Sequence, residues 1–378
     1  MNYLERAQQI EQELALLRED FHRHPEIGNN EVWTSERIFC YLKDLGLEVS
    51  RPFGTAIVAK LYGKGSKTVA LRSDIDALPV KENTNCSFSS VNDGFMHACG
   101  HDIHITSALG TAKLLSENKD NLNGNVVFIF EPDEEGEGNA INLIKHGALD
   151  GVSAIFGGHV SPDIPLGKVA VKYGKFYAAS EIVTVKVKGL SCHGATPKLG
   201  KDALLAASEM VVALQDIKCE SGEEFVFTIG NLVAGTASNI IADNAVFSGV
   251  LRTFGNSNIL QLRESIKNTV DSIAKKYGVE ADVIISGSYG GVINSEPETA
   301  LIEQTARKLF GDSNVEILQD SYMTTEDFGY YIDNCSGSFC NIGAGCNKPL
   351  HSCDFLPSSK ACVNAVALYC SVIESYLK

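Results

Sequence analysis

The stretch NVVFIFEPDEEG, residues 125–136, joins a short apolar run to a cluster of acids. The run from Val126 to Phe130 is unbroken and contains β-branched and aromatic residues, which is typical of a strand covered on both faces. Acidic side chains follow it at Glu131, Asp133, Glu134 and Glu135. The stretch therefore predicts a buried strand whose carboxyl end presents carboxylates.

Three further stretches have the same design. KTVALRSDIDALPV (67–80) places Asp74 and Asp76 after a strand, AIFGGHV (154–160) ends beside His159, and SFCNIGAGCNKPLH (338–351) continues through a longer loop to His351. Strands that alternate with helical segments predict an α/β sheet, and ligands in such sheets collect beyond the carboxyl ends of the strands. We therefore expect these polar groups to meet at one edge of the sheet.

The stretch HACGHDIH (97–104) adds histidines and a cysteine in front of a helix. An apolar stripe with helical spacing follows it at Ile105, Ala108, Leu109, Ala112 and Leu115. This pattern predicts that Cys99 and His101 lie in a loop entering the helix and that His104 lies in its first turn.

The middle of the chain has a different pattern. SEIVTVKVKGL (180–190) alternates apolar and polar residues, as a strand with one solvated face does. The predicted order from there is β, α, β, β, α, β, which is typical of a ferredoxin-like α+β domain. We predict that this domain, residues 177–289, is inserted into a catalytic α/β domain made of residues 1–176 and 290–378.

Composition excludes several functional classes. The 378 residues carry 32 basic and 47 acidic side chains, a net charge of −15, so an extended nucleic-acid surface is not expected. The apolar runs are too short to span a membrane, and the charged N-terminus lacks the apolar core of a secretion signal. The expected location is the cytoplasm, where the eleven cysteines would stay reduced.

Five side chains combine into a predicted metal site. The sulfur, nitrogen and oxygen donors are Cys99, His101, Glu135, His159 and His351. They are too many for one tetrahedral ion that also holds a water, but they suit two divalent ions bridged by carboxylate or thiolate. The metal is expected to be Mn, Zn, Ni or Co. Two alternatives stay open: an enzyme that uses Cys99 as its nucleophile, and a metal-binding protein without catalysis.

The chain resembles the amidohydrolase branch of the M20 metallopeptidase family, which includes aminoacylases, hippurate hydrolases and N-acetyldiaminopimelate deacetylases. The resemblance covers essentially the whole chain through motifs in the family's order: FHRHPEIGNNEVWT, RSDIDALP, MHACGHDIH, EPDEEG, GGHV, KGLSCHGATP, ASNIIADNAVFSGVLRTF, EDFGYY and LHSCDF. It implies a zinc-peptidase-like catalytic domain with a mixed central sheet and an inserted lid and dimerisation domain.

The resemblance also implies roles for individual residues. It gives the same five metal ligands and makes Glu134 the general base. His193 would reach into the active site of the partner subunit of a homodimer, where it would serve catalysis and substrate binding. Asn239 and Arg252 would bind the substrate's carbonyl and carboxylate, and Asp74 would orient a metal ligand.

The resulting expectation is a metal-dependent amidohydrolase. A water bridging two ions, activated by Glu134, would cleave the amide bond of an N-acyl amino acid with an acetyl, benzoyl or similar acyl group. An N-acetyldiaminopimelate deacetylase and a small-peptide hydrolase of the same family are the close alternatives. The chain departs from the family pattern at Asp133, Cys192 and Ala242, where the family usually has alanine, glycine and proline.

Overall fold

The structure is a computed structural model. It describes the backbone of residues 1–378 and the side chains of residues 1–255, 257–287 and 289–378. The strands are β1 Glu48–Ser50, β2 Ile57–Leu61, β3 Thr68–Asp74, β4 Asn125–Glu131, β5 Ala154–Ser161, β6 Val169–Val171, β7 Gly174–Tyr177, β8 Ala179–Lys188, β9 Phe225–Ala234, β10 Asn244–Thr253, β11 Glu280–Tyr289, β12 Val292–Asn294, β13 Val315–Ile317 and β14 Ser336–Gly343. The helices are α1 Tyr3–Gln9, α2 Glu11–Arg23, α3 Val32–Asp44, α4 His101–Glu117, α5 Ala140–Lys145, α6 Ala203–Leu214, α7 Asn256–Tyr277, α8 Glu296–Phe310, α9 Gly329–Ile332 and α10 Lys360–Leu377.

The chain divides into two compact units. The first unit comprises Met1–Phe176, Ile293–Asp320 and Asp327–Lys378, and the second unit comprises Tyr177–Val292 and Ser321–Glu326. The predicted insertion, 177–289, falls within the second unit. That unit also includes residues 290–292 and 321–326, which the sequence-based boundaries had placed in the catalytic domain.

A mixed sheet forms the centre of the first unit, in the order β1-β2-β4-β3-β5-β14-β6-β13. The neighbours β4, β3, β5 and β14 run parallel, whereas β2 and β6 pair antiparallel to this group. From its second residue onward β4 is buried throughout, as its apolar run predicts. The parallel strands end at one edge, so the residues that follow them lie close together.

Helix α4 is buried along nearly its whole length and packs against β3, α2 and α10. The helix begins at His101, so this histidine is its first residue rather than part of the preceding loop. Gly100 precedes it with φ +89°, and a Cβ there would lie 2.5 Å from a methyl carbon of Val160. Glycine is needed at this position because both the backbone conformation and the close packing exclude a side chain.

The second unit contains an antiparallel sheet in the order β11-β8-β10-β9, with α6 and α7 packed against it. Its core includes Val183, Val185 and Val187 from β8, while Lys186 and Lys188 of that strand are exposed. The order of strands and helices is that of a ferredoxin-like α+β domain. The mixed α/β fold class that the sequence predicts is therefore confirmed.

Two further observations concern the whole chain. Within the described residues, no helix combines the length and the apolar character needed to cross a membrane. All eleven cysteines are free thiols in this structure.

Candidate active site

The predicted donors of the first unit meet at the carboxyl edge of its parallel strands. Cys99 Sγ lies 3.3 Å from His159 Nε2 and 3.3 Å from His351 Nε2. His351 Nε2 lies 3.1 Å from Glu135 Oε1, and His101 Nε2 lies 3.9 Å from the same oxygen. The side chains come from β5, the start of α4 and three loops, and they converge because the parallel strands share one edge.

Cys99 belongs to at least two groups of possible metal donors. Its sulfur and the ring nitrogens of His101 and His159 all lie within 4.8 Å of one another, and so do its sulfur, a Glu135 oxygen and a His351 nitrogen. Two triads that share one sulfur would offer three donors to each of two divalent ions. The donor set therefore fits two divalent cations.

The histidine rings are held with one nitrogen facing this centre. His101 Nδ1 donates to the Asp76 carbonyl oxygen at 2.9 Å, and His159 Nδ1 donates to the Val160 carbonyl oxygen at 2.7 Å. His101 Nε2 is buried and has no hydrogen-bond partner in the side chains that the structure describes. Buried polar atoms normally have a hydrogen-bond partner, so a buried nitrogen that lacks one and lies close to other donors fits the role of a metal ligand.

The electrostatics of the site also favour a cation. Burial alone would lower the pKa of His101, but the negative charges of Asp74 and Asp76 outweigh it and raise this pKa to about 10. Burial, with the charges of Glu135 and Glu134, raises the pKa of the Cys99 thiol well above its ordinary value. Because a bound cation stabilises the thiolate and the neutral imidazole, it would oppose both shifts.

His159 is already in the neutral form that a metal ligand requires. Burial lowers its pKa to about 3, with His104 contributing in the same direction. Its imidazole is therefore neutral at physiological pH, and its Nε2 lone pair faces Cys99.

Asp74 contacts a neighbouring histidine rather than hydrogen-bonding to a predicted ligand. His104 Nδ1 donates to Asp74 Oδ1 at 2.6 Å, and His104 Nε2 accepts from the Val160 backbone N–H at 3.0 Å. Asp74 lies 3.8 Å from His101 Nδ1, whereas Asp76 Oδ1 lies 3.2 Å from it and Asp76 Oδ2 accepts from the Glu135 N–H at 3.0 Å. Sequence reasoning had given Asp76 no separate role, although it follows the same strand.

A buried arginine balances the acids beneath the site. The Arg72 guanidinium lies 2.7 Å from Asp74, 2.8 Å from Glu131 and 2.6 Å from Asp327. Tyr331 donates to Glu131 at 2.9 Å. Burial would raise the pKa of the Asp74 carboxyl, but the charge of His101, the hydrogen bond from His104 and the charge of Arg72 lower it well below the usual range and keep the carboxylate ionised.

Glu134 lies at the edge of the same cluster. Its Oε2 is 4.0 Å from His101 Nε2, and the side chain is largely buried. His101, Glu134 and Glu135 form a further group with ligand atoms within 4.8 Å of one another. The predicted base therefore lies beside Cys99 and shares a group of possible donors with two of the predicted ligands.

The second unit holds the other predicted residues. The loops that carry His193 and Asn239 pair with each other: Gly194 N–H donates to Asn239 O at 2.8 Å, and Ile241 N–H donates to Cys192 O at 2.9 Å. His193 is exposed, and its Nδ1 accepts from the Ala195 N–H at 3.1 Å. This leaves Nε2 as the protonated nitrogen, available as a donor.

Arg252 lies near the end of β10, whereas the loop that carries Asn239 precedes the start of this strand. Arg252 pairs with Ser180, whereas Asn244 at the start of the strand pairs with Lys188. Eight residues of strand separate these positions by about 26 Å. The structure thus brings His193 and Asn239 together but places Arg252 far from both, with its Nη1 donating to the Met323 carbonyl at 2.6 Å.

Known proteins are similar to this chain in sequence along most of its length. Residues 70–375 match the family model described as peptidase family M20/M25/M40. The N-acetyl-L-cysteine deacetylase of Bacillus subtilis is 33% identical over 363 residues, 94% of this chain and 86% of that protein. The N-acetyldiaminopimelate deacetylase of Bacillus cytotoxicus is 32% identical over 360 residues, 93% of this chain and 94% of that protein.

A solved structure of the same family is similar to this chain in fold as well as in sequence. The dinuclear metal binding peptidase from the M20 family of Bacillus subtilis superposes with a TM-score of 0.87 at 31% identity, covering 98% of this chain and 99% of that chain. The chain therefore belongs to peptidase family M20/M25/M40 and is a metal-dependent hydrolase that acts on amide bonds.

Proposed function

We propose that this protein removes the acyl group from N-acyl amino acids by hydrolysing their amide bond. The observation that carries the proposal is the position of Glu134 beside two donor triads that share Cys99. A carboxylate beside a cation-binding centre can move protons during hydrolysis. We assign this role to Glu134 because the five proposed ligands already supply donors for two ions. The deacetylase names of two relatives support acetyl as the acyl group.

The proposed ligands are Cys99, His101, Glu135, His159 and His351, and the proposed ions are Mn, Zn, Ni or Co. When bound, two such ions would polarise the scissile carbonyl and lower the pKa of an attacking water to around 7. The chain's contribution is to hold the five donors: Asp76 fixes His101, and the Val160 carbonyl fixes His159.

Glu134 is the proposed general base. It takes a proton from the attacking water as the new carbon–oxygen bond forms, and it returns that proton to the nitrogen as the carbon–nitrogen bond breaks. The products are a carboxylic acid and an amine. The second transfer is needed because an amide anion is too poor a leaving group to depart without a proton.

His193, Asn239 and Arg252 are the proposed substrate contacts. The protonated Nε2 of His193 suits the oxyanion that develops on the carbonyl, Asn239 suits the carbonyl, and the Arg252 guanidinium suits the substrate carboxylate. An N-acyl amino acid is about 7 Å long, roughly two residues of extended chain. One substrate is therefore too short to contact all three residues of a single second unit.

This separation supports a homodimer in which His193 and Asn239 serve the partner's active site. Exposed apolar residues of the second unit also support this proposal: Leu204, Leu205 and Val212 of α6 are 45%, 49% and 67% exposed. In the described part of the sheet, β9 is an edge strand that pairs on one side, with β10. Exposed apolar residues beside an open strand edge are typical of an interface.

The structure argues against a cysteine nucleophile. Reactive cysteines have a lowered pKa and a positively charged environment. Burial and two neighbouring glutamates instead raise the pKa of Cys99. A cysteine in this environment becomes a thiolate through a cation, not through an adjacent base.

One screen tests the proposed activity. Purified protein, loaded with each defined metal, is incubated with acetyl, benzoyl and longer acyl amino acids, N-acetyldiaminopimelate and short peptides, and the products are identified. Release of amino acid from N-acetyl or N-benzoyl substrates supports the proposal. Turnover confined to peptides favours the small-peptide hydrolase, and turnover confined to N-acetyldiaminopimelate favours that deacetylase.

The dimer is tested separately. Val212→Glu should give monomers in sedimentation that keep their metal but lose turnover, while Lys186→Glu on the exposed face of β8 serves as a charge-change control. Monomers with full turnover would remove the cross-subunit role of His193.

A further inference from the structure

The turn that carries Glu134 and Glu135 begins at Asp133, one of the positions where this chain departs from the family pattern. Asp133 has φ +60°, in the left-handed region of backbone conformation. Residues other than glycine, asparagine and aspartate rarely adopt this conformation. Asp133 is 8% exposed. A buried aspartate with a left-handed backbone therefore lies immediately before the proposed base.

Every polar group of Asp133 has a defined contact. Its N–H donates to Glu31 Oε1 at 2.9 Å, and its carbonyl oxygen accepts from the Gly138 N–H at 3.0 Å. Its carboxylate Oδ2 accepts from Asn29 Nδ2 at 2.7 Å and from the Glu137 N–H at 3.3 Å. The residue therefore forms hydrogen bonds within the turn and also connects the turn to residues 29–31.

Two glycines leave room for this carboxylate. A Cβ at Gly28 would lie 1.7 Å from Asp133 Oδ1, and a Cβ at Gly136 would lie 2.2 Å from the same atom. A carboxylate oxygen thus occupies the space that two side chains would otherwise fill. This close fit fixes the rotamer of Asp133 as well as its backbone.

We propose that Asp133 is a positioning residue, which holds the turn so that Glu135 belongs to the donor cluster and Glu134 lies beside it. The role rests on the proposed function of Glu134 and Glu135, but the geometry of the turn does not depend on which substrate is cleaved. An alanine at this position would lack the contacts of the carboxylate and would disfavour the left-handed backbone. An asparagine would keep both the backbone preference and an acceptor oxygen.

The first test compares Asp133→Ala with Asp133→Asn. The alanine variant should lower kcat by about 10- to 100-fold with little change in KM, and should weaken Mn²⁺ binding in calorimetry to a similar extent. Hydrogen exchange of the peptide covering residues 131–139 should become faster. The asparagine variant should restore all three measurements to near wild type. Asp163→Ala, an exposed aspartate in the loop after β5, is the matched control and should change none of them.

The second test is a double-mutant cycle with Gly28→Ala. In the wild-type background the new methyl group collides with Asp133 Oδ1, so exchange of the turn should increase and kcat should fall. In an Asp133→Gly background the carboxylate is gone, so the same substitution should have little further effect. Additive effects of the two substitutions would contradict the proposal.

The readouts separate this proposal from the proposed function. If Asp133→Ala leaves exchange, Mn²⁺ affinity and kcat unchanged, Asp133 does not position the turn, and the hydrolase proposal stands. If the wild-type protein cleaves no acyl amino acid, the proposed function fails, while Mn²⁺ affinity and exchange still decide the role of Asp133.

Discussion

Substitution of Arg18 by methionine tests the buried charge cluster beneath the start of α4. Arg18 Nε lies 2.7 Å from Asp102 Oδ2, and the two side chains are 1% and 0% exposed. His22 Nδ1 lies 2.8 Å from the same oxygen, also without exposure. Asp102 stands next to the proposed ligand His101, so this cluster joins α2 to the helix that carries part of the site.

The expected loss follows from burial. Methionine has a similar length but no charge, so Asp102 would lose one of its two close cationic contacts without a comparable change in packing. Removing one partner from a buried ion pair typically costs about 3–5 kcal/mol of unfolding free energy, because the remaining charge stays desolvated. We expect a loss in this range.

The assay is urea unfolding followed by fluorescence of the single tryptophan, Trp33, whose ring packs 5.8 Å from that of Phe21 in α2. Arg37→Met is the matched control: Arg37 Nε lies 2.9 Å from Asp20, but these side chains are 38% and 35% exposed. An exposed pair is worth about 0–1 kcal/mol. Equal losses in the two variants would refute the reasoning, because burial would then have no effect.

Three further outcomes are expected. Burial alone would lower the pKa of His22, but Asp102 outweighs it and raises this pKa. The contribution of protonated His22 to the free energy of unfolding is therefore fully present below about pH 6.5 and is lost as the pH rises through the raised pKa. The difference in unfolding free energy between wild type and His22→Gln should shrink from pH 6 to pH 9, and a growing difference would contradict this sign. Cys99→Ala should reduce bound metal, measured by mass spectrometry, from about two equivalents towards zero, since both triads contain Cys99, while His351→Ala should retain about one. Equal metal contents in the two variants would argue against a shared sulfur. Arg252→Met should raise KM for an acyl amino acid at least about tenfold, the value of one charge-assisted hydrogen bond, with a smaller change in kcat; an unchanged KM would remove the carboxylate contact.

Much of the fold follows from periodicity. The apolar run at 126–130 and the alternation at 182–187 predict a buried strand and a half-solvated strand, and both are observed. The strands β6 and β13 have three residues each and no period to read, so they were not predicted. Pairing with neighbouring strands, not local sequence pattern, determines such short strands.

The candidate site was predictable to a similar extent. Donors that follow parallel strands were expected to meet, and the structure brings them together around Cys99. The roles of Asp76 and Asp133 depend on side-chain direction and on a left-handed backbone, which spacing does not reveal. The distance between Arg252 and Asn239 depends on how the strands pair. The order of motifs along the sequence does not reveal this pairing register.

Metal content and turnover of Glu134→Gln test the central claim most directly. Glutamine keeps the size of the side chain but has no carboxylate to accept a proton. The variant should retain about two equivalents of metal, like the wild type, and lose at least about 100-fold in turnover of an N-acyl amino acid. Retained turnover with a full complement of metal would show that Glu134 is not the base.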